Sequence, residues 1–152
     1  MGSPYLMAHG MGKPVADATT SITFAEAGTY YVYARTYNWT SPWTQTSGAG
    51  KFTIKVAEKK LPVILGDKGN KWFWQPAGKV TVKQGQVSLS LVDLTGFNGR
   101  CDAIYFTTEE NKLPPSDITE LAVFRKKILN IPLEPNNTQT FDFVVVGGGT
   151  AG

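Results

Sequence analysis

Residues 29–39, read as TYYVYARTYNW, constrain the fold more strongly than any other part of the chain. They follow a turn signal at Gly28, and their aromatic and β-branched side chains are typical of a half-buried strand. Because successive side chains of a strand point to opposite faces, this stretch has two distinct faces. One face consists of Tyr30, Val32, Ala34 and Thr36, and the other of Tyr31, Tyr33, Arg35 and Tyr37. The first face predicts core packing, whereas the second is too aromatic for an ordinary solvated surface and predicts covering protein or a bound ligand.

Similar short strand patterns recur along most of the chain, separated by turn residues. After an irregular lead-in over residues 1–20, they fall at 21–24, 29–39, 51–56, 61–65, 72–74, 79–83, 86–91 and 101–107. We expect the strands on either side of Gln84 and Gly85 to form a hairpin. About eight strands with no helix between them predict an all-β fold, an antiparallel β-sandwich of the jelly-roll, galactose-binding-like kind.

The region between residues 51 and 65 alternates between apolar and polar side chains. Phe52, Ile54 and Val56 are predicted to point inward and Thr53 outward, with a polar turn over residues 58–60. The following run over residues 61–65 contains Pro62, which indicates an edge strand or the start of a strand.

The pattern changes after Glu110. Asp117, with Glu120 three residues later, predicts a helix N-cap, and the apolar residues that follow recur at helical spacing. These residues are Leu121, Phe124, Ile128 and Leu129. We therefore expect one short helix, followed by a Pro- and Asn-rich linker over residues 129–139.

The last twelve residues, FDFVVVGGGTAG, combine a continuous apolar run with three spaced glycines. Residues 144–146 are typical of a parallel strand that is buried on both faces. Gly147, Gly149 and Gly152 have the spacing of a dinucleotide-binding loop, which predicts the first strand and glycine loop of a Rossmann-type domain. The helix, second strand and ribose-binding acid of such a unit do not follow, so we expect the sequence to be cut inside a second domain. A flexible glycine tail is the alternative interpretation.

Composition excludes several classes of function. Of the 152 residues, 41% are hydrophobic and 18% charged, which is enough to bury a core. The net charge of +3 comes from scattered basic residues, so we expect no nucleic-acid partner. No apolar run is long enough to span a membrane. Cys101, the single cysteine, excludes an internal disulfide and a multi-cysteine metal site and is expected to be a packing residue.

Four blocks of the sequence carry a resemblance to a known type of protein: 26–39, 72–74, 93–104 and 144–152. Together they resemble flavin-dependent oxidoreductases with an N-terminal β-sandwich of the carbohydrate-binding-module or golvesin-like type. The resemblance implies a β-sandwich over residues 1–110, a helix and linker over 111–140, and the truncated start of an FAD-binding domain over 141–152. It further implies a bacterial, exported parent enzyme that binds FAD and whose flavin domain is covalently linked to the sandwich. Such proteins have a further strand before the segment that begins at Met1, and without it one sheet edge would be unpaired.

Two functions remain open from the sequence. In the first, the sandwich binds carbohydrate: Trp39 and Trp43 flank a loop and would stack on sugar rings, while Arg35 and Asn38 would hydrogen-bond hydroxyl groups. In the second, the sandwich is a structural domain that packs on the flavin domain. Trp72 and Trp74 are expected to pack in the interior.

Nothing in the sequence has the pattern of a catalytic or metal site. Neither a paired-carboxylate site nor an activated nucleophile is evident, so we expect this part of the protein to be non-catalytic and to bind no metal. Asp93, Arg100 and Asp102 are expected to form ion pairs that brace the turn over residues 96–99.

Overall fold

The structure of the protein, a computed structural model, describes residues 5–44, 46–132, 140, 142 and 143. Within this part the chain forms eight β-strands and one α-helix. They are β1 (Leu6–His9), β2 (Ala18–Phe24), β3 (Gly28–Thr36), β4 (Phe52–Val56), β5 (Lys59–Lys60), β6 (Phe73–Val82), β7 (Gly85–Asp93), β8 (Phe97–Thr107) and α1 (Ile118–Ile128). The strands pair antiparallel in two four-stranded sheets, the first in the order β1-β8-β3-β6 and the second in the order β2-β7-β4-β5. The predicted antiparallel β-sandwich is confirmed.

The core lies between the two sheets and contains the apolar face predicted for β3. Val32, Ala34 and Thr36 are fully buried, and Tyr30 packs against the core from its edge. From the second sheet, Ile54 and Val56 of β4 are likewise fully buried. The strand alternation read from the sequence therefore holds for the inward residues of both strands.

The N-terminal region is more regular than predicted. Residues 6–9 form β1, which pairs with β8, and β2 begins at Ala18 rather than at Ser21. The prediction of an irregular lead-in holds for residues 10–17, which contain no strand, but was wrong for β1 and the start of β2. These strands lie at sheet edges, where exposed side chains obscure the alternation. β2 pairs only with β7 among the described strands, so its other edge is unpaired there, and most of its side chains are exposed.

Thr53 and the segment after it depart from the sequence-based prediction. Thr53 is buried instead of pointing to solvent, and its Oγ1 donates to the carbonyl oxygens of Leu61 at 2.9 Å and Val63 at 3.2 Å. Residues 61–65 therefore fold over β4 instead of forming a strand, with one isolated bridge between Phe52 and Leu65. The predicted polar turn contains the two-residue strand β5.

β6 is one long strand where the sequence indicated two. It passes through Pro76, which has no backbone N–H to donate. β6 lies at the edge of its sheet, and an edge strand tolerates proline because one of its sides forms no hydrogen bonds to a neighbouring strand. The register shifts opposite Val32 and Tyr33, and Gly78 adopts a φ of 124° there. The predicted hairpin across Gln84 and Gly85 was also wrong, because β6 and β7 lie in different sheets and the turn crosses between them.

The helix agrees with the prediction. Asp117 caps its N-terminus by accepting bonds from the backbone N–H groups of Thr119 and Glu120, at 2.9 and 3.0 Å. No helix in the described ranges is long and apolar enough to cross a membrane. The predicted domain limits stay a prediction. The strand predicted at residues 144–146 and the three glycines at 147, 149 and 152 lie outside the described residues.

Candidate functional site

The aromatic outer face of the first sheet is partly covered by the chain itself. Tyr33 and Trp74 are buried in a second apolar cluster with Leu121 of α1, and Phe124 packs at its margin. The Tyr33 hydroxyl accepts a bond from the backbone N–H of Asn111 at 2.9 Å, and Trp74 Nε1 donates to the Pro115 carbonyl at 3.2 Å. Tyr33 and Trp74 are therefore covered by the chain itself, by the segment that leads into α1 and by the helix.

A buried carboxylate ties the helix to the same face. Asp102 Oδ2 lies 2.7 Å from both Arg35 Nη1 and Arg125 Nη2, and the Asp102 side chain is 0% exposed. The Arg35 side chain is only 5% exposed. Asp102 thus links the sheet to the helix through Arg125, and its pairing with the buried Arg35 leaves that arginine little surface for the hydroxyl contact predicted from the sequence.

Five aromatic side chains lie close together near the end of β3. Trp72 contacts Tyr5 and Tyr37, with ring centroids 5.2 and 5.7 Å apart. Trp39 contacts Trp43 at 6.1 Å in an edge-to-face arrangement. We call these five residues the aromatic cluster.

Arg100 of β8 joins the parts of the aromatic cluster. Its guanidinium carbon lies 5.7 Å from the ring centroid of Tyr5, 5.7 Å from that of Tyr37 and 5.8 Å from that of Trp39. These distances lie within the range of cation–π attraction. The predicted ion pairing of Arg100 does not occur among the described residues.

The two tryptophans that the sequence identified as a stacking platform do lie together. Trp43 is 76% exposed, and Trp39 is half-buried. Trp39 Nε1 donates to the carbonyl oxygen of Phe97 at 2.7 Å, which fixes its ring against β8. We call Trp39 and Trp43 the tryptophan platform.

Asn38 shapes the loop that carries the platform. It is 3% exposed, and its Oδ1 accepts bonds from the backbone N–H and the hydroxyl of Thr40, at 3.1 and 2.7 Å. The backbone N–H of Trp43 then donates to the Thr40 carbonyl at 2.9 Å. Asn38 therefore acts on the loop backbone in this structure, and little of it is available to a ligand hydroxyl.

The same loop borders an open cleft that the sequence did not reveal. The residues that line the cleft carry hydroxyl, amide, carboxylate and ammonium groups: Asn38, Ser41, Thr44, Thr46, Asp67, Lys68, Gly69 and Asn70. Ser47 holds one side of it by donating to Asp67 Oδ2 at 3.0 Å, and Asp67 Oδ1 is buried without a hydrogen-bond partner. The sequence shows only that residues 38–47 and 67–70 are polar loops, and their proximity depends on the fold.

The remaining chemical groups have structural surroundings. Asp93 braces the predicted turn by accepting bonds from the backbone N–H groups of Thr95 and Gly96. Burial raises the pKa of the Cys101 thiol to about 12, as expected for a packing residue. Within the described ranges no three His, Cys, Asp or Glu residues are grouped to hold a metal ion.

Comparisons with known proteins find structural similarity to several solved proteins. No family model matches it, and no curated protein matches it. A family 35 carbohydrate-binding module from an environmental isolate is 22% identical, with a TM-score of 0.49, over 68% of this chain and 73% of the module. A β-(1,4)-mannanase with such a module from Podospora anserina is 13% identical, with a TM-score of 0.47, over 73% of this chain and 28% of the mannanase. The C-terminal domain of EclA, a sugar-binding protein, is 13% identical, with a TM-score of 0.46, over 70% of this chain and 79% of that domain. At these identities and TM-scores, the similarities do not assign the chain to a family.

Proposed function

We propose that the sandwich is a carbohydrate-binding module and that the tryptophan platform is its contact surface. Sugar rings present C–H faces that stack on exposed aromatic rings, and indoles offer the largest such surface. The observation that carries the proposal is the exposure of Trp43. Its large apolar ring is 76% exposed, on a loop that several hydrogen bonds hold in place.

The geometry of the platform favours binding over incidental exposure. The Trp39 ring is fixed by its bond to Phe97 and by its edge contact with Trp43, so little side-chain entropy remains to be lost when a ligand binds. A preorganised apolar surface of this kind gives affinity without a large ordering cost.

The polar cleft beside the platform supports the same ligand class. Its hydroxyl, amide and charged groups can donate and accept hydrogen bonds, as sugar hydroxyls require. Lys68 and Asn70 are both exposed there. A ring stacked on Trp43 with hydroxyls directed toward these groups is the binding mode we propose.

The proposal is tested by titrating the protein with a panel of soluble polysaccharides while following tryptophan fluorescence and, independently, calorimetric heat. The Trp43→Ala variant and the Trp39→Ala, Trp43→Ala double variant should lose binding. Leu129→Ala, which changes another exposed apolar side chain far along the chain, is the matched control and should bind like the original protein. Unchanged affinity in the double variant would refute the proposal.

We further propose that this module is an accessory part of an FAD-dependent oxidoreductase. The proposal rests on the resemblance of the four sequence blocks and on the spacing of Gly147, Gly149 and Gly152, which lie outside the described residues. FAD would be held by the linked flavin domain and not by the sandwich. Sequencing the encoding DNA beyond Gly152 tests this, because a stop codon directly after it would exclude a complete flavin domain.

A purely structural role, in which the sandwich packs on the flavin domain, is the second candidate. The observation in its favour is a group of exposed apolar side chains at the end of α1 and just beyond it: Ile128, Leu129 and Ile131. This role predicts no response to any glycan. It also predicts that residues 128–131 exchange amide hydrogen more slowly in the full-length protein than in the sandwich alone.

A further inference from the structure

We infer that Arg100 is a positioning residue of the tryptophan platform, which it organises by holding rings from separate chain segments around one guanidinium group. The inference rests on the proposed carbohydrate-binding function and adds to it a residue that does not itself need to touch the ligand. The sequence suggested only an ion-pairing role for this arginine.

The surroundings of Arg100 differ from those of the other two arginines in the chain. Arg35 and Arg125 both contact the Asp102 carboxylate at 2.7 Å. Arg100 forms no ion pair with any described residue, and its Nε is buried without a hydrogen-bond partner. Arg100 is half-buried, and the three aromatic rings around its guanidinium group offer it cation–π attraction where no carboxylate of the described residues is paired with it.

The attraction acts on the rings as well as on the arginine. Tyr5 precedes β1, whereas Tyr37 and Trp39 follow β3, so the guanidinium joins two segments that are distant in sequence. β8 then holds Trp39 at two points, through the Phe97 carbonyl and through Arg100 three residues later. Because Trp43 packs edge-on against Trp39, the orientation of the exposed ring depends on this support.

Substituting lysine or methionine for Arg100 separates the effect of its charge from that of its planar guanidinium group. Lysine keeps the charge but lacks the planar group that stacks on several rings, and methionine keeps most of the apolar stem but has no charge. We expect affinity for the best-binding polysaccharide of the panel to fall about tenfold in Arg100→Met and by a smaller factor in Arg100→Lys. Lys83→Met is the matched control, since it removes one positive charge from an exposed position in the turn between β6 and β7.

A thermodynamic cycle distinguishes positioning from general destabilisation. If Arg100 acts through the platform, Arg100→Met should weaken binding of the original protein but have little further effect once Trp39 is alanine. Equal losses of affinity in both backgrounds would overturn the inference while leaving the proposed function intact. Absence of glycan binding by the original protein would refute the proposed function and, with it, this role.

A second measurement needs no ligand. The Trp39 indole N–H is bonded to the Phe97 carbonyl, so its hydrogen exchange, followed by NMR, reports how firmly the ring is held. Exchange should accelerate at least about tenfold in Arg100→Met and stay unchanged in Lys83→Met. Unchanged exchange in Arg100→Met would overturn the inference, whatever the glycan result.

Discussion

Replacing Asp102 with asparagine should weaken the attachment of α1 to the sheet while barely changing the shape of the side chain. The substitution keeps the size of the side chain but removes the charge that Arg35 and Arg125 share at 2.7 Å. Because the Asp102 side chain is 0% exposed, water cannot replace the lost interaction without opening the helix contact. Removing one partner of a buried ion pair typically costs about 3–5 kcal/mol, and the neutral amide retains some hydrogen bonding, so we expect a loss of about 3 kcal/mol in the free energy of unfolding.

This loss can be measured by urea denaturation followed by far-UV circular dichroism. Arg125→Met is the informative companion variant, since the Arg125 side chain is 23% exposed and should cost less when removed. The two substitutions should be strongly non-additive, because both act on one interaction. A loss below about 1 kcal/mol in Asp102→Asn would show that the buried contact does not hold the helix, contrary to the reasoning from its burial.

Four further outcomes are expected. Leu121→Ala should lower the free energy of unfolding by about 2–4 kcal/mol in denaturant titrations, because this side chain is fully buried between α1 and the sheet, and a loss under 1 kcal/mol would contradict that packing. Trp43→Ala should change it by less than about 0.5 kcal/mol in the same assay, since the ring is mostly exposed. Gly96→Ala should destabilise markedly in thermal melts, because φ is 66° and the added carbon would lie 2.1 Å from the Lys13 carbonyl oxygen. Since burial raises the Cys101 pKa from 9.0 to about 12, the stability contributed by the protonated thiol should be complete below pH 9.0 and decline as the pH rises toward 12, a slope that Cys101→Ala should reduce.

The sequence predicts the sandwich and the two faces of β3 because alternation is a local property of a strand. Val32 and Ala34 could be assigned to the core from spacing alone, and Asp117 could be recognised as a cap from its neighbours. β1 and β6 lie at sheet edges, where exposed side chains and proline are tolerated and the apolar–polar alternation is weaker. Local spacing therefore does not predict these two strands correctly. Which strands share a sheet depends on contacts between distant residues, so local spacing predicts a hairpin between β6 and β7 although the two strands lie in different sheets.

The candidate site was predictable only in part for the same reason. Trp39 and Trp43 could be paired from their position beside one loop. The polar cleft and the grouping of Tyr5 with Arg100 require segments that are far apart in the chain. Arg35 shows the limit most directly, since its carboxylate partner Asp102 lies 67 residues later in the chain, on β8, and shares that carboxylate with Arg125 of α1.

The position of α1 has a consequence for the shape of any ligand. The helix and its arginine–aspartate contact occupy the sheet surface over Tyr33 and Trp74, which borders the aromatic cluster on one side. The loop that carries Trp43 borders the open cleft and has no helix in that lining. In the binding mode proposed above, a polymer on the tryptophan platform would find hydrogen-bonding groups along this loop, whereas the sheet surface over Tyr33 and Trp74 is already occupied by the helix.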